Sequence, residues 1–226
     1  MATYDLEEQE QIAEIKAWWK QYGNLLAGIV TAVSIGVVAW QGWNWYQRNQ
    51  AAQASMVYGV LQKAVLENDS QRIKAASGEL IEKFGSTAYA SLAALTAARA
   101  MFDAGDVKTA KLQLAWVVEH GKDHLRDLAR LRLATLLLDE KAYDEALKHL
   151  DGTPSAGFAA RFADGRGDIL AAQGKTAEAR AAYQAALASL DKAGASVGKN
   201  TQPNRQASAA YRESVQVKLD ALGESA

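Results

Sequence analysis

Hydrophobic residues follow two different patterns along this chain. Residues 21–47 form one run of 27 uncharged residues, whereas from Ala51 onward apolar residues recur at helical spacing. The first pattern is typical of a helix that is apolar on all sides, and the second of amphipathic helices that bury one face. We find no convincing strand pattern after Ala51. The sequence therefore predicts an all-α protein in which a single apolar helix precedes a helical domain.

The uncharged run has the length and composition of a transmembrane helix. About 20 apolar residues cross the hydrocarbon core of a bilayer, and the run lacks the polar stripe that a core helix of a small soluble domain carries. A cleaved signal peptide and a buried core helix are the other two interpretations. The sequence Ala52-Gln53-Ala54 resembles a cleavage site, but it lies far beyond the run, and the residues before the run are acidic. We therefore predict an uncleaved anchor in the lipid bilayer.

Aromatic residues cluster at and just beyond the two ends of this run, and residues 18–48 contain five of the six tryptophans of the chain. Trp19 and Trp40 are 21 residues apart, which corresponds to roughly 31 Å at about 1.5 Å per residue. Tryptophan and tyrosine favour the membrane–water interfaces, because the ring is apolar while its polar group still reaches water. The predicted interfacial anchors are Trp18, Trp19, Tyr22, Trp40, Trp43, Trp45 and Tyr46.

Small residues recur every four positions inside the run, at Gly28, Ala32 and Gly36. This spacing places them on one helix face, where a second transmembrane helix can approach closely. The alternative is that glycine and alanine are simply common in such helices.

Basic residues give a weak indication of orientation. Lys16 and Lys20 precede the run closely, whereas Arg48 is the nearest basic residue after it. Because basic residues favour the cytoplasmic side, we predict a short cytoplasmic segment at residues 1–20, a transmembrane helix at 21–47, and a domain outside the cytoplasm at 48–226.

A junction between helices is repeated in the domain. The segments Gly105–Ala110 (GDVKTA), Lys141–Ala146 (KAYDEA) and Gly174–Ala179 (GKTAEA) each place a small residue five positions after a turn, and their starts are 36 and 33 residues apart. A weaker copy, Ser70–Ala75, starts 35 residues before the first. A period near 34 residues with two helices per unit indicates tetratricopeptide-like repeats. Such hairpins stack into a solenoid.

Residue sizes around these junctions support the same register. Small residues lie seven positions before each turn, and larger residues lie four positions after the small residue of the second helix, so the two helices of a pair can cross closely. The predicted small positions are Ala98, Ala134 and Gly167, and the predicted larger ones are Leu114, Leu150 and Tyr183. We also predict a mobile loop at 191–204 and a C-terminal capping helix at about 204–222.

The first helix of each repeat usually lines the concave surface of such a solenoid. We expect this surface to include Leu92, Leu95, Arg99, Phe102, Leu128, Leu131, Thr135, Leu138, Arg161, Asp164 and Asp168. Much of the set is apolar, which leaves two interpretations. Neighbouring helices cover the leucines, or the leucines form a patch for apolar segments of partner proteins.

Composition and motifs indicate binding rather than catalysis. A net charge of −1 does not suggest a strongly basic nucleic-acid binder, and the absence of cysteine excludes thiol catalysis and disulfides. We find no Ser-His-Asp order, phosphate loop or dinucleotide fingerprint. His120 and His124 are four residues apart, but Gly121 separates them at a predicted turn. We therefore predict no enzyme activity, no cofactor and no metal site, and we interpret the Arg-Gly-Asp tripeptide at 166–168 as coincidence.

Two aromatic-rich segments frame the anchor, AEIKAWWKQYGN at Ala13–Asn24 and WQGWNWYQRNQ at Trp40–Gln50. With the degenerate repeats that follow, the whole chain resembles the ancillary SecYEG translocon subunit family of Gram-negative inner membranes. The resemblance implies a single-span inner-membrane protein with its repeat domain in the periplasm. It also implies three partners: the SecYEG translocon, a membrane-anchored periplasmic chaperone of the prolyl-isomerase type, and translocating client proteins. The alternative function is a membrane-tethered regulatory adaptor that sequesters a signalling protein in envelope stress.

Overall fold

The computed structural model describes residues 2–196 and 202–223, and these residues form helices joined by short turns. The all-α prediction is therefore confirmed for the described residues. The helices are α1 (Ala2–Leu66), α2 (Ser70–Phe84), α3 (Ala88–Asp103), α4 (Val107–His120), α5 (Asp123–Asp139), α6 (Tyr143–His149), α7 (Ala159–Ala172), α8 (Thr176–Ser196) and α9 (Gln202–Ala221), with a 3₁₀ turn at Ala156–Phe158.

The chain divides into two compact units, Met1–Ala52 and Gln53–Ala226. In the first unit, the described residues belong to helix α1, whose stretch from Lys16 onward is long and apolar enough to cross a membrane. The apolar side chains of this stretch are mostly exposed, which is unlike a core helix of a soluble domain. The predicted limits of the anchor, residues 21 and 47, lie inside this uninterrupted helix and stay predictions.

In the second unit, consecutive helices pack as hairpins. Helix α3 packs on α4, α5 on α6 and α7 on α8, and α2–α3, α4–α5 and α5–α7 contacts join neighbouring pairs. Residues 53–66 of α1 contribute to the same core, and the Tyr58 hydroxyl lies 3.3 Å from that of Thr96. This arrangement of sequential neighbours is the solenoid that the repeat period predicts.

Four turns in the described part of this unit share one backbone conformation. Asn68, Gly105, Lys141 and Gly174 all have φ between 53° and 79°. Each of their N–H groups donates to the carbonyl three residues earlier, and the next N–H donates to the carbonyl five residues before it. These hydrogen bonds satisfy carbonyls at the end of the preceding helix. The repeated junctions at Gly105, Lys141 and Gly174 are thus confirmed as turns between paired helices.

The weaker copy of the junction is displaced by two residues from its predicted position. Its turn residue is Asn68 and not Ser70, so Ile73 occupies the place that Ala110 holds in the next hairpin. The predicted small residue, Ala75, is exposed. Residue sizes explain the error, because this hairpin has a large Ile73 followed by a small Ser77, which reverses the order of the other three.

The predicted packing positions are all buried. The second-helix alanines Ala110, Ala146 and Ala179 are fully buried. The six flanking positions are buried as well, namely Ala98, Ala134, Gly167, Leu114, Leu150 and Tyr183. The closest approach is at Gly167, where an added Cβ would lie 2.4 Å from the Tyr183 ring. Only glycine fits against the ring at this position.

Helix α9 packs on the last hairpin. Val215 is fully buried and joins a small core with Leu170, Tyr183 and Leu187. The predicted loop at 191–204 is too long, because α8 continues to Ser196 and α9 begins at Gln202. Alanines inside the predicted loop favour helix, and one interior glycine costs only about 1 kcal/mol. The rest of that loop, residues 197–201, lies outside the described residues.

Candidate partner-binding surface

The first helices of the hairpins line a series of hollows along one side of the repeat domain. The first hollow has a volume of about 600 Å³ and lies between the end of α1, α2, α3 and α5. Its floor is apolar and its rim carries two arginines and an aspartate. The lining residues are Val65, Asn68, Ser70, Ile73, Leu92, Leu95, Thr96, Arg99, Ala100, Asp103, Ala104, Leu125, Leu128 and Arg132.

Two smaller hollows continue this surface along α5. The second hollow, of about 190 Å³, shares Arg99 and Arg132 with the first and adds Phe102 and Thr135. The third hollow, of about 70 Å³, shares Thr135 with the second and includes Leu131, Leu138 and Asp168. We call these three hollows together the concave surface. Their shared residues make the concave surface continuous from Leu92 on α3 to Asp168 on α7.

Most of the predicted concave-face residues therefore line one surface. Leu92, Leu95, Arg99 and Leu128 lie in the first hollow, Phe102 in the second, and Leu131 and Leu138 in the third. The two interpretations of the leucines both apply in part. Leu95 is only 5% exposed and belongs to the core, whereas Phe102 is 42% exposed.

Two predicted residues do not lie in these hollows. Arg161 is exposed on α7, where its guanidinium lies 6.0 Å from the centre of the Phe158 ring. Asp164 is only 8% exposed, because its carboxylate accepts hydrogen bonds from the Tyr211 hydroxyl at 2.9 Å and from Lys218 Nζ at 2.8 Å. Helix α9 thus covers Asp164, and the prediction that this residue faces an open surface is wrong.

Arg132 is the most informative residue that the sequence analysis missed. It lies one helical turn after Leu128, so the spacing of the leucines on α5 could have indicated it. Its guanidinium donates to the Leu95 carbonyl at 3.4 Å. Burial lowers the pKa of Arg132, and the positive charge of Arg99 lowers it further.

The predicted interfacial aromatics are exposed on α1. Several of them pair along the helix: the Trp18 and Tyr22 ring centres are 5.7 Å apart, and those of Trp43 and Tyr46 are 6.1 Å apart. All seven predicted anchors have exposed side chains, namely Trp18, Trp19, Tyr22, Trp40, Trp43, Trp45 and Tyr46. Their exposure leaves the rings available to an interface, and their position in a membrane stays a prediction.

The middle of the apolar stretch presents little polar surface. The Thr31 and Ser34 hydroxyls donate to the carbonyls four residues earlier, each at 2.8 Å. This satisfies both groups within the helix, as a lipid environment requires. Gly28 and Gly36 have open space where a side chain would be, and Ala32 is exposed. The predicted helix contact at these three residues therefore stays a prediction.

The remaining chemical motifs have structural contacts. His120 stacks on Trp116 with ring centres 4.8 Å apart, while His124 lies 6.1 Å from Phe158. Among the described residues, no group of three or more His, Asp or Glu side chains could hold a metal ion. In the Arg-Gly-Asp tripeptide, Arg166 pairs with Asp151 at 3.2 Å.

These observations define a class of protein, in which one long apolar helix precedes a solenoid of tetratricopeptide-like hairpins.

A family model described as a tetratricopeptide repeat-like domain matches residues 16–224. A relative from Neisseria gonorrhoeae named ancillary SecYEG translocon subunit is 33% identical over 222 residues, which cover 96% of this chain and 98% of the relative. A relative of the same name from Escherichia coli is 32% identical over 187 residues, covering 80% of this chain and 88% of the relative. A third from Haemophilus influenzae is 30% identical over 186 residues, covering 81% and 90%. The chain belongs to the family of ancillary SecYEG translocon subunits.

Proposed function

We propose that this protein is a non-enzymatic accessory subunit of the SecYEG translocon, anchored in the inner membrane by α1. Its repeat domain would bind a membrane-anchored periplasmic chaperone of the prolyl-isomerase type and client proteins that emerge from the channel. The name of the relatives supports the association with SecYEG. The continuous, largely apolar concave surface is the observation that supports partner binding, because tetratricopeptide-like solenoids bind proteins along such surfaces.

The anchor gives the proposal its geometry. Residues 1–20 would lie in the cytoplasm, residues 21–47 would cross the bilayer, and residues 48–226 would lie in the periplasm. The face formed by Gly28, Ala32 and Gly36 would contact a neighbouring transmembrane helix, because its open surface permits close approach. Anchoring beside the channel raises the local concentration of the concave surface, so individual contacts with clients need not be strong.

The natural absence of cysteine makes orientation straightforward to test. Lys16→Cys and Leu112→Cys each introduce a single thiol at an exposed position on the two sides of the predicted span. We expect a membrane-impermeant thiol reagent to label the Leu112→Cys chain once the outer membrane is opened. The Lys16→Cys chain should react only after the inner membrane is breached. The reverse labelling would contradict a periplasmic domain and would favour a cytoplasmic regulatory adaptor.

Partner binding is tested by a polar substitution in the second hollow. Phe102→Asp should lower the affinity for the chaperone or client by about 2 kcal/mol, which is the loss typical of an exposed aromatic anchor at an interface. This equals roughly 30-fold in the dissociation constant. Co-purification and titration from solubilised membranes would measure the change. Leu112→Asp is the matched control, because Leu112 is also exposed but lies outside the three hollows. Equal effects of the two substitutions would refute binding at the concave surface.

A further inference from the structure

The first and second hollows of the concave surface meet at a pair of arginines. Arg99 and Arg132 line both hollows. Apolar side chains lie on either side of the pair, with Leu92 and Leu128 in the first hollow and Phe102 in the second. A polypeptide laid along the concave surface would therefore meet apolar surface both before and after the two guanidinium groups.

The two arginines differ in their partners. Arg99 Nε donates to the Asp103 carboxylate at 2.7 Å, one turn later on the same helix. Arg132 makes no ion pair among the residues that the structure describes, and its one hydrogen bond there goes to the Leu95 carbonyl. Arg99 adds positive charge beside it. An incoming carboxylate would satisfy Arg132 with charge-assisted hydrogen bonds, which are stronger than neutral ones.

We infer that the concave surface binds an internal segment of a partner protein in which an acidic side chain is flanked by apolar residues. The acidic side chain would pair with Arg132, while the flanking residues would lie against Leu128 and Phe102. An internal segment fits better than a chain end, because a chain that stopped at Arg132 would leave one of the two adjoining hollows empty. This inference rests on the proposed function, since it specifies the chemistry of the partner.

Peptide selection tests this chemistry directly. The probe is a displayed library of random peptides without free carboxyl termini, selected against the full-length chain in lipid nanodiscs. We expect the recovered peptides to carry aspartate or glutamate between apolar residues. Arg132→Glu should weaken the binding of these peptides by at least roughly 30-fold in the dissociation constant, because it places like charges next to each other. The same variant should instead recover peptides with lysine or arginine at the acidic position.

Arg126→Glu is the matched control for the charge change. Arg126 is exposed on the same helix and does not line the three hollows, so this variant should retain the affinity and the acidic preference of the wild-type chain. Three results of the selection would each overturn the inference. The recovered peptides could lack acidic residues, the wild-type and Arg132→Glu chains could recover identical peptides, or no peptide could be enriched. Tighter binding of peptides with a free carboxyl terminus would also overturn it. Co-purification of the unmodified chain with SecYEG tests the proposed function separately, because it requires neither peptides nor a change at Arg132.

Discussion

Replacing Arg130 with alanine is expected to lower the free energy of unfolding of the repeat domain by about 3–5 kcal/mol. Arg130 extends from α5 and holds the irregular segment that follows α6. Its Nε donates to the His149 carbonyl at 2.7 Å, and its guanidinium also donates to the Asp151 carbonyl. Nearby, the Asp127 carboxylate accepts from the Ser155 backbone N–H at 2.8 Å. The Arg130 and Asp127 side chains together fix both ends of this segment against α5.

The expected effect is large because the group left behind is buried. The Asp127 side chain is 7% exposed and that of Arg130 17% exposed, with 3.7 Å between their nearest charged atoms. Without Arg130, a buried carboxylate would lose its nearby positive charge, and two carbonyls would lose a donor. The guanidinium also lies 4.9 Å from the centre of the Phe162 ring, so its removal leaves unfilled space beside the core.

A urea titration of the detergent-solubilised full-length chain, followed by circular dichroism, would measure this change. Arg126→Ala is the matched control, because Arg126 lies one turn earlier on α5 and is exposed. Such surface substitutions usually change stability by less than about 0.5 kcal/mol. Comparable unfolding midpoints for Arg130→Ala and Arg126→Ala would contradict the role of Arg130 in holding the segment.

The hairpins could be predicted from sequence because their determinants are local. A turn residue, a small residue five positions later and a larger residue four positions after that all lie within one junction. The predicted junction of the first hairpin is displaced by two residues because the residue sizes in this hairpin are reversed. Leu61 and Ile73 occupy its small positions, and Ser77 occupies its larger one. Size complementarity is preserved in the folded hairpin, but a search for the commoner order does not detect it.

The concave surface was predicted less completely because it depends on distant parts of the chain. Helical spacing placed Leu92, Leu128 and Leu131 on the inner helices, where the structure also places them. Asp164 is covered by Tyr211 and Lys218, which lie 47 and 54 positions later in the chain. No periodic pattern within α7 contains this contact. The sequence offers one signal for this contact. It is a charged residue at an inward position of α7, together with a tyrosine and a lysine on the last helix.

The contacts between α9 and α7 yield the second prediction. Lys218→Ala is expected to lower the free energy of unfolding by about 2–3 kcal/mol. Lys218 Nζ donates to Asp164 and Asp168, each at 2.8 Å, and thereby joins α9 to α7. Removing the ammonium leaves two adjacent carboxylates without their shared positive charge. The effect should be below that of a fully buried pair, because the Lys218 side chain is 36% exposed and solvent screens part of the interaction.

The pH dependence of stability tests the same network. Burial alone would lower the pKa of Lys218, but its hydrogen bonds to Asp164 and Asp168 outweigh burial and raise it. Burial and the neighbouring aspartates also raise the pKa values of Tyr183 and Tyr211. In each case the folded state holds the proton more tightly than the unfolded chain does. The stabilisation that these three groups contribute is therefore fully present below their unfolded pKa values of about 10. It should be lost progressively as pH rises above those values.

Urea titrations of the wild-type, Lys218→Ala and Lys218→Arg chains at neutral and alkaline pH separate charge from packing. Lys218→Arg keeps the positive charge and should retain most of the stability. The loss in Lys218→Ala should shrink as pH rises above about 10, because the raised pKa of Lys218 means that its ammonium loses its stabilising contribution in that range. The Lys218 side chain also lies 5.9 Å from the centre of the Tyr183 ring, so lost packing would persist at every pH. A loss in Lys218→Ala that is independent of pH, and equal in Lys218→Arg, would assign the stabilisation to that packing and contradict the ionic junction between α7 and α9.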